Sequence, residues 1–263
     1  MPPCPIVISR GVEKSHPWYK PRGGGDFLAQ ALNRTKIKGE CEEWFAFFHI
    51  PFLHRKEIKI MHIILASASP RRRELIRQIH WEADIEPGHF PEVTNEDEAL
   101  AFIRKEGLET AFAPFSHTDL VCAVNAFGKA KDAARKGSAL PVVGADTTVV
   151  LEGRVLGKPK DKEDAFSMLL SLSGRTHVVK TGMAILYKGK TSLSVTATEV
   201  TFRSLSEEEI RKYIETGEPM DKAGAYGIQG IGTLLVDTIS GSYDNVVGLP
   251  LTVLYEKVNE IVR

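Results

Sequence analysis

Five short segments concentrate the residues that could do chemistry. The first is Ser67-Ala68-Ser69-Pro70-Arg71-Arg72-Arg73, which follows the apolar run His62–Ala66. That run reads as a buried strand, Ser69 as a helix N-cap and Pro70 as the first helical residue. Three arginines then fall on the opening turn, where backbone N–H groups already favour an anion. Arginine adds permanently charged, forked donors suited to phosphate. A polyphosphate cradle fits these residues, and so does a surface helix with solvated arginines.

The second segment, Gly144-Ala145-Asp146-Thr147-Thr148, sets a carboxylate and two hydroxyls beside an apolar strand. There Asp146 could hold a divalent cation or deprotonate water, or simply make a turn. In the third, Gly157-Lys158-Pro159, the lysine is a point charge between two turn residues. The fourth runs from Glu218 to Gly230 and is rich in Gly and Ala, which lets backbone approach a ligand. It carries Asp221 and Lys222, which could pair with each other or meet substrate, and Tyr226 and Gln229, which could stack on and read a base. The fifth, Gly241 to Pro250, is a hydroxyl-bearing turn before the last helix.

Alternating strands and helices must position these groups. A loose capping box, Asn95 with Glu98, opens a helix through Ile103. Residues 107–128 read as apolar but irregular, and Gly128–Lys136 as helical. A strand over Pro141–Ala145 ends at Asp146, and β character resumes over Thr147–Leu151. A helix spans Asp161–Leu172, and β-rich runs cover Val178–Tyr187 and Val195–Phe202. Ser206 and Glu209 cap a helix ending near Gly217. Ile231–Val236 reads as a strand and Leu251–Val262 as the final helix. This alternation implies an α/β class with a mixed sheet, because some strands follow one another directly.

Composition narrows the class further. With 43% hydrophobic and 26% charged residues, the 263-residue chain reads as a soluble globular protein. Its 34 basic and 34 acidic side chains give no cationic excess for nucleic acid, and none is expected as a partner. The balance is a sum of unlike parts: residues 1–60 hold 10 Lys/Arg and 6 Asp/Glu, the remainder 24 and 28. The first 60 residues, broken by prolines and a glycine triplet, read as an irregular or disordered extension, with a domain over 61–263. No run reaches 18 apolar residues, so no transmembrane helix is expected. Cys4, Cys41 and Cys122 form no CxxC pair, and a reducing, cytoplasmic compartment is the expectation.

In this order the five segments resemble the Maf family, over about residues 61–263. Its members carry a Ser-x-Ser-Pro-Arg-Arg start, a Gly-Ala-Asp-Thr strand, a Lys-Pro turn, an Asp-Lys-Ala-Gly-Ala-Tyr-Gly-Ile-Gln-Gly loop and a Gly-Ser-Tyr…Val-Val-Gly-Leu-Pro close. The resemblance implies an elongated, two-lobed α/β fold with a central cleft, shared with inosine triphosphate pyrophosphatases. It implies a homodimer that hydrolyses a nucleoside triphosphate to the monophosphate and pyrophosphate with a divalent metal cation (Mg, Mn or Co). The Asp221–Gly230 loop resembles the dTTP/UTP-preferring branch.

Carried over position by position, the resemblance implies that Asp146 is the catalytic carboxylate and Lys158 a catalytic lysine in the phosphate site. Arg71, Thr147 and Gln229 match positions of substrate choice, and Ser69, Arg71, Arg72 and Lys129 match phosphate-binding positions. Glu92 fits an acidic residue that joins Asp146 at the metal. Lys129 is expected at the end of the helix opened near Asn95. In the family that lysine follows closely on the residues matching Phe102–Arg104. Here about 22 residues, Lys105 to Ala126, intervene and read as an insertion, either a longer loop of the lobe or a mis-spliced segment that weakens folding. Two rival expectations are the same fold acting on 7-methyl-GTP or another non-standard nucleotide, and a non-catalytic, nucleotide-sensing regulator of cell division.

Overall fold

Alternation of side chains along β1 (His62–Leu65) sets the plan of the molecule. Ile63 and Leu65 face one side, and Ile64 with Ala66 the other, each joining a separate apolar cluster. The computed structural model describes residues 59–134 and 139–263. The expected extension falls, up to residue 58, outside the described residues.

The described strands form one mixed sheet. It consists of β1, β2 (Glu82–Ile85), β3 (Val142–Leu151), β4 (Arg154–Leu156), β5 (Thr176–Tyr187), β6 (Lys190–Phe202) and β7 (Val236–Ser240). Their order is β2-β1-β3-β5-β6-β7, with β4 also on β3. β1 pairs in parallel with β2 and β3, and the other pairings are antiparallel. This is the mixed α/β architecture that the alternation implies.

β3 is unbroken, contrary to the expected stop at Asp146. It pairs with β5 from Val142↔Leu186 through Asp146↔Gly182 to Val150↔Val178. Its other edge is interrupted instead. β1 accompanies it only to Val143, and β4 begins only at Val149. Among the described residues no strand covers that edge from Gly144 to Thr148. The gap holds Asp146 and Thr147, for the same reason that ligands gather beyond strand ends in open α/β sheets.

Helices cover both faces. α1 (Pro70–Gln78) and α7 (Leu251–Ile261) pack Leu75, Ile76, Leu254 and Val258 on Val143, Ala145 and Met183. Further along the same strands, α5 (Lys162–Leu172) and α6 (Glu207–Glu215) pack on Val149, Leu151 and Val179. Thr147 and its cross-strand partner Thr181 lie between the two covers. A full capping box starts α6, with Ser206 accepting from the Glu209 N–H and Glu209 from the Ser206 N–H.

The other face carries α2 (Glu96–Glu106), the short α3 (Glu109–Phe112) and α4 (His117–Ala134). Residues 107–128, expected to be irregular, include the first three turns of an 18-residue helix. Its buried residues run almost without interruption from Leu120 to Ala130, so no polar face marks a helical period. α4 lies against the backbone of β3 and β5. A Cβ at Gly144 would stand 2.1 Å from the Ala126 carbonyl, and one at Gly182 2.4 Å from that of Cys122. Residues 135–136 of the expected helix lie outside the described residues.

Ile231–Val236 also differs from expectation. Gly230–Leu235 forms a 3₁₀ turn, and β7 begins at Val236. The Glu218 carboxylate accepts the N–H groups of Ile231 and Gly232, both at 3.1 Å, which removes them from any strand ladder.

Candidate functional site

The turn between β1 and α1 is organised around Arg72. Ser67 Oγ accepts from the Ser69 N–H, and Ser69 Oγ caps α1 by accepting from the Arg72 N–H. The Arg72 side chain turns back into the molecule. Its Nε donates to the Gly248 carbonyl at 2.8 Å, one terminal nitrogen to Ser67 Oγ at 3.0 Å, and the other to Thr147 Oγ1 at 3.2 Å. These bonds use three of five guanidinium N–H groups and leave one on each terminal nitrogen. Burial lowers the Arg72 pKa and nearby Asp146 raises it; the net shift is downward from a value high enough that the guanidinium stays charged.

Thr147 is held in turn. Thr181 Oγ1 donates to the buried Asn245 carbonyl at 3.0 Å, so its oxygen is left to accept from Thr147, 3.0 Å away. Thr147 therefore donates to Thr181 and accepts from Arg72. Its hydroxyl thereby helps to hold the Arg72 side chain in place.

Across the gap a chain of alternating charges joins four elements. Lys129 Nζ on α4 lies 2.7 Å from Asp146 Oδ1 on β3 and 2.7 Å from Glu92 Oε1 between β2 and α2. The second Glu92 oxygen is 3.4 Å from Lys158 Nζ, in the turn after β4. Lys129 and Asp146 are each 14% exposed, so their contact is shielded from water, whereas Glu92 and Lys158 stand at the opening. Partial burial pushes the Glu92 carboxyl up, but Lys129 and Lys158 outweigh it and hold it below the usual range.

The Gly-rich loop closes the third side. Arg71 reaches Asp221 at 3.7 Å, and Asp221 is paired with Lys222 at 2.7 Å, so the pairing alternative for these two residues is the one observed. Burial raises the Asp221 carboxyl, and Lys222 and Arg71 bring it below its ordinary value. Tyr226 is buried, with its hydroxyl 2.7 Å from His177 Nε2. The Gln229 amide makes no hydrogen bond among the described residues.

One cleft of about 460 Å³ brings together every residue expected at the site: Ser69, Arg71, Arg72, Glu92, Lys129, Asp146, Thr147, Lys158 and Gln229. Arg73 does not line it. Lys129 arrives on α4, not at the end of α2, which stops at the left-handed Gly107. Of the segment read as an inserted loop, Glu109–Phe112 form the short α3, and His117–Ala126 are the start of the helix that delivers the lysine. Asn125, inside that segment, was missed: it touches Asp146 and the backbone of Val93. A lone amide in the apolar run Leu120–Phe127 was its available signal.

Fold and site together define a class: an α/β protein whose split sheet edge forms a cleft for a polyanion, with arginines on one wall and paired carboxylates on another. The chain belongs to the Maf family, matching the model for "Maf-like protein" over residues 62–261. A dTTP/UTP pyrophosphatase of Thermococcus kodakarensis is 44% identical over 195 residues, 74% of this chain and 94% of that protein. One from Caldanaerobacter subterraneus is 45% identical over 200 residues, 74% of this chain and 87% of its own. A third, from Shewanella denitrificans, is 48% identical over 194 residues, 72% of this chain and 90% of its own. Among the described residues no helix is long and apolar enough to cross a membrane.

Proposed function

We propose that this protein hydrolyses dTTP and UTP, releasing the nucleoside monophosphate and pyrophosphate. The observation that carries the reading is the shared cleft: Arg71 and Arg72 line it together with Lys129, which gathers Glu92 and Asp146. Its likeness to relatives named dTTP/UTP pyrophosphatase supports this substrate pair over 7-methyl-GTP.

Arg71 and the two unspent N–H groups of Arg72 bind the phosphate chain, and Lys129 turns from its carboxylates toward a phosphate oxygen. Asp146 orients a water molecule and accepts its proton as the oxygen attacks the α-phosphorus. The α–β anhydride bond breaks, and its electron pair leaves with pyrophosphate. Lys158 offsets the charge on that departing oxygen. Gln229, with its amide unengaged, reads the pyrimidine edge.

The donor set fits a small divalent cation. Glu92 and Asp146 meet at one ammonium, and Mg²⁺ commonly takes one or two carboxylates and completes its shell with phosphate and water. Among the described residues no group of three or more His, Cys, Asp or Glu could hold a metal, so these two carboxylates would share the ion with substrate. Bound there, the cation supplies neutralising charge to the phosphate oxygens.

The test is turnover by the purified protein with Mg²⁺ or Mn²⁺ on dTTP, UTP, 7-methyl-GTP and inosine triphosphate, with monophosphate and pyrophosphate both quantified. The expected result is fastest release from dTTP and UTP. A folded protein with no turnover on any of them would replace the enzyme with a nucleotide-sensing regulator.

A further inference from the structure

We infer that Asn125 is a positioning residue that orients Asp146 for the reaction. The inference rests on the pyrophosphatase reading above and adds a residue outside the motifs of the family resemblance. Asn125 is 3% exposed, on α4, four residues before Lys129. That spacing puts both side chains on one face of the helix. Lys129 takes Oδ1 of Asp146, and Asn125 Nδ2 donates to Oδ2 at 3.2 Å. One helix face thus grips both oxygens of the carboxylate.

The direction of the amide is determined by its other partner. Asn125 Oδ1 accepts from the Val93 N–H at 2.8 Å, and Nδ2 donates to the Val93 carbonyl at 3.0 Å. An amide bound this way cannot flip without opposing like groups, so its remaining proton stays aimed at Asp146. Val93 directly follows Glu92, whose carboxylate also meets Lys129. Asn125 therefore ties the acidic loop and the β3 carboxylate to the same point. When phosphate draws Lys129 away, Asn125 remains as the neutral donor that holds Asp146 in place, and it brings no charge that would compete for phosphate.

The experiment measures kcat and KM for UTP with Asn125→Leu and Asn125→Asp, alone and combined with Asp146→Asn. Leucine removes all three bonds. Aspartate can still accept from the Val93 N–H but puts an oxygen where Asp146 needs a donor. Each single variant is expected to lose roughly 10-fold or more in kcat per folded molecule, the scale of a hydrogen bond to a charged group, with KM within ~3-fold. In the Asp146→Asn background the same substitutions should change the residual kcat by less than ~2-fold, because the group they position is gone. A purely structural role predicts a lower Tm, normal kcat per folded molecule, and equal effects in both backgrounds. That pattern would overturn the inference, as would failure of both single variants to fold. A wild-type protein without turnover would sink the pyrophosphatase reading itself. Wild-type turnover that survives Asn125→Leu would sink only the role of Asn125.

Discussion

Acid should weaken the floor of the cleft through one buried histidine. His177 on β5 is 2% exposed, with its ring edge-on to Phe202 and Tyr226 at centroid distances of 5.0 and 5.3 Å. Its Nε2 is bonded to the Tyr226 hydroxyl, and Tyr226 lines the cleft. Burial pushes the imidazole down to about 4, against 6.5 for the free group. Between those values the unfolded chain binds a proton that the folded protein refuses. The stability from neutral His177 is therefore complete above pH 6.5 and is lost as pH falls toward 4. Linkage over this interval gives a loss of about 2 kcal/mol at pH 5 and about 3 kcal/mol at pH 4. His177→Gln keeps a partner for the Tyr226 hydroxyl and cannot titrate. Urea unfolding of both proteins from pH 7.5 to 4 should show wild type losing that amount relative to the glutamine variant. Glu92, Asp119 and Asp221, whose carboxyls lie below their ordinary range, also lose stability in acid, but they are common to both proteins and cancel. A difference constant within ~0.5 kcal/mol across the range would refute the buried, neutral histidine.

Other outcomes follow from the same geometry. Asp146→Asn should retain the fold and nucleotide binding while losing at least ~10²-fold in turnover, checked by kcat alongside calorimetric nucleotide titration. Arg72→Lys replaces a fork with a point charge and cannot match the bonds to Gly248, Ser67 and Thr147; KM for UTP should rise about 10-fold or more. Gly144→Ala would drive a methyl group into the Ala126 carbonyl. Denaturant unfolding should register a loss of about 3 kcal/mol or more, while a Gly157→Ala control, where an added Cβ meets nothing within 4 Å, stays far milder.

Much of the fold was readable because local signals agreed. Ser69-Pro70, Asn95, Asp161 and Ser206 are all observed as N-caps, each accepting a hydrogen bond from the third residue on. Local reading failed where partners far along the chain set the conformation. The start of α4 shows no period because it is buried nearly all round, and Gly230–Leu235 leaves the strand because Glu218 captures its N–H groups. Among the site residues, those in motifs could be named from spacing, whereas Asn125 lies in a segment with no motif around it.

By itself the sequence determined the inventory: arginines at a capped helix start, carboxylates at Glu92 and Asp146, lysines at 129 and 158, and an α/β frame to carry them. Tertiary structure decided their pairing. Lys129 meets Asp146 because Gly144 and Gly182 have no Cβ, so that α4 can rest on the sheet backbone. Thr147 serves Arg72 because its cross-strand neighbour Thr181 spends its proton on Asn245. Neither arrangement follows from local sequence alone, since Lys129 and Gly182 are distant along the chain from Asp146, as Thr181 and Asn245 are from Thr147. Each depends on strand register and helix depth, which only the packed chain defines.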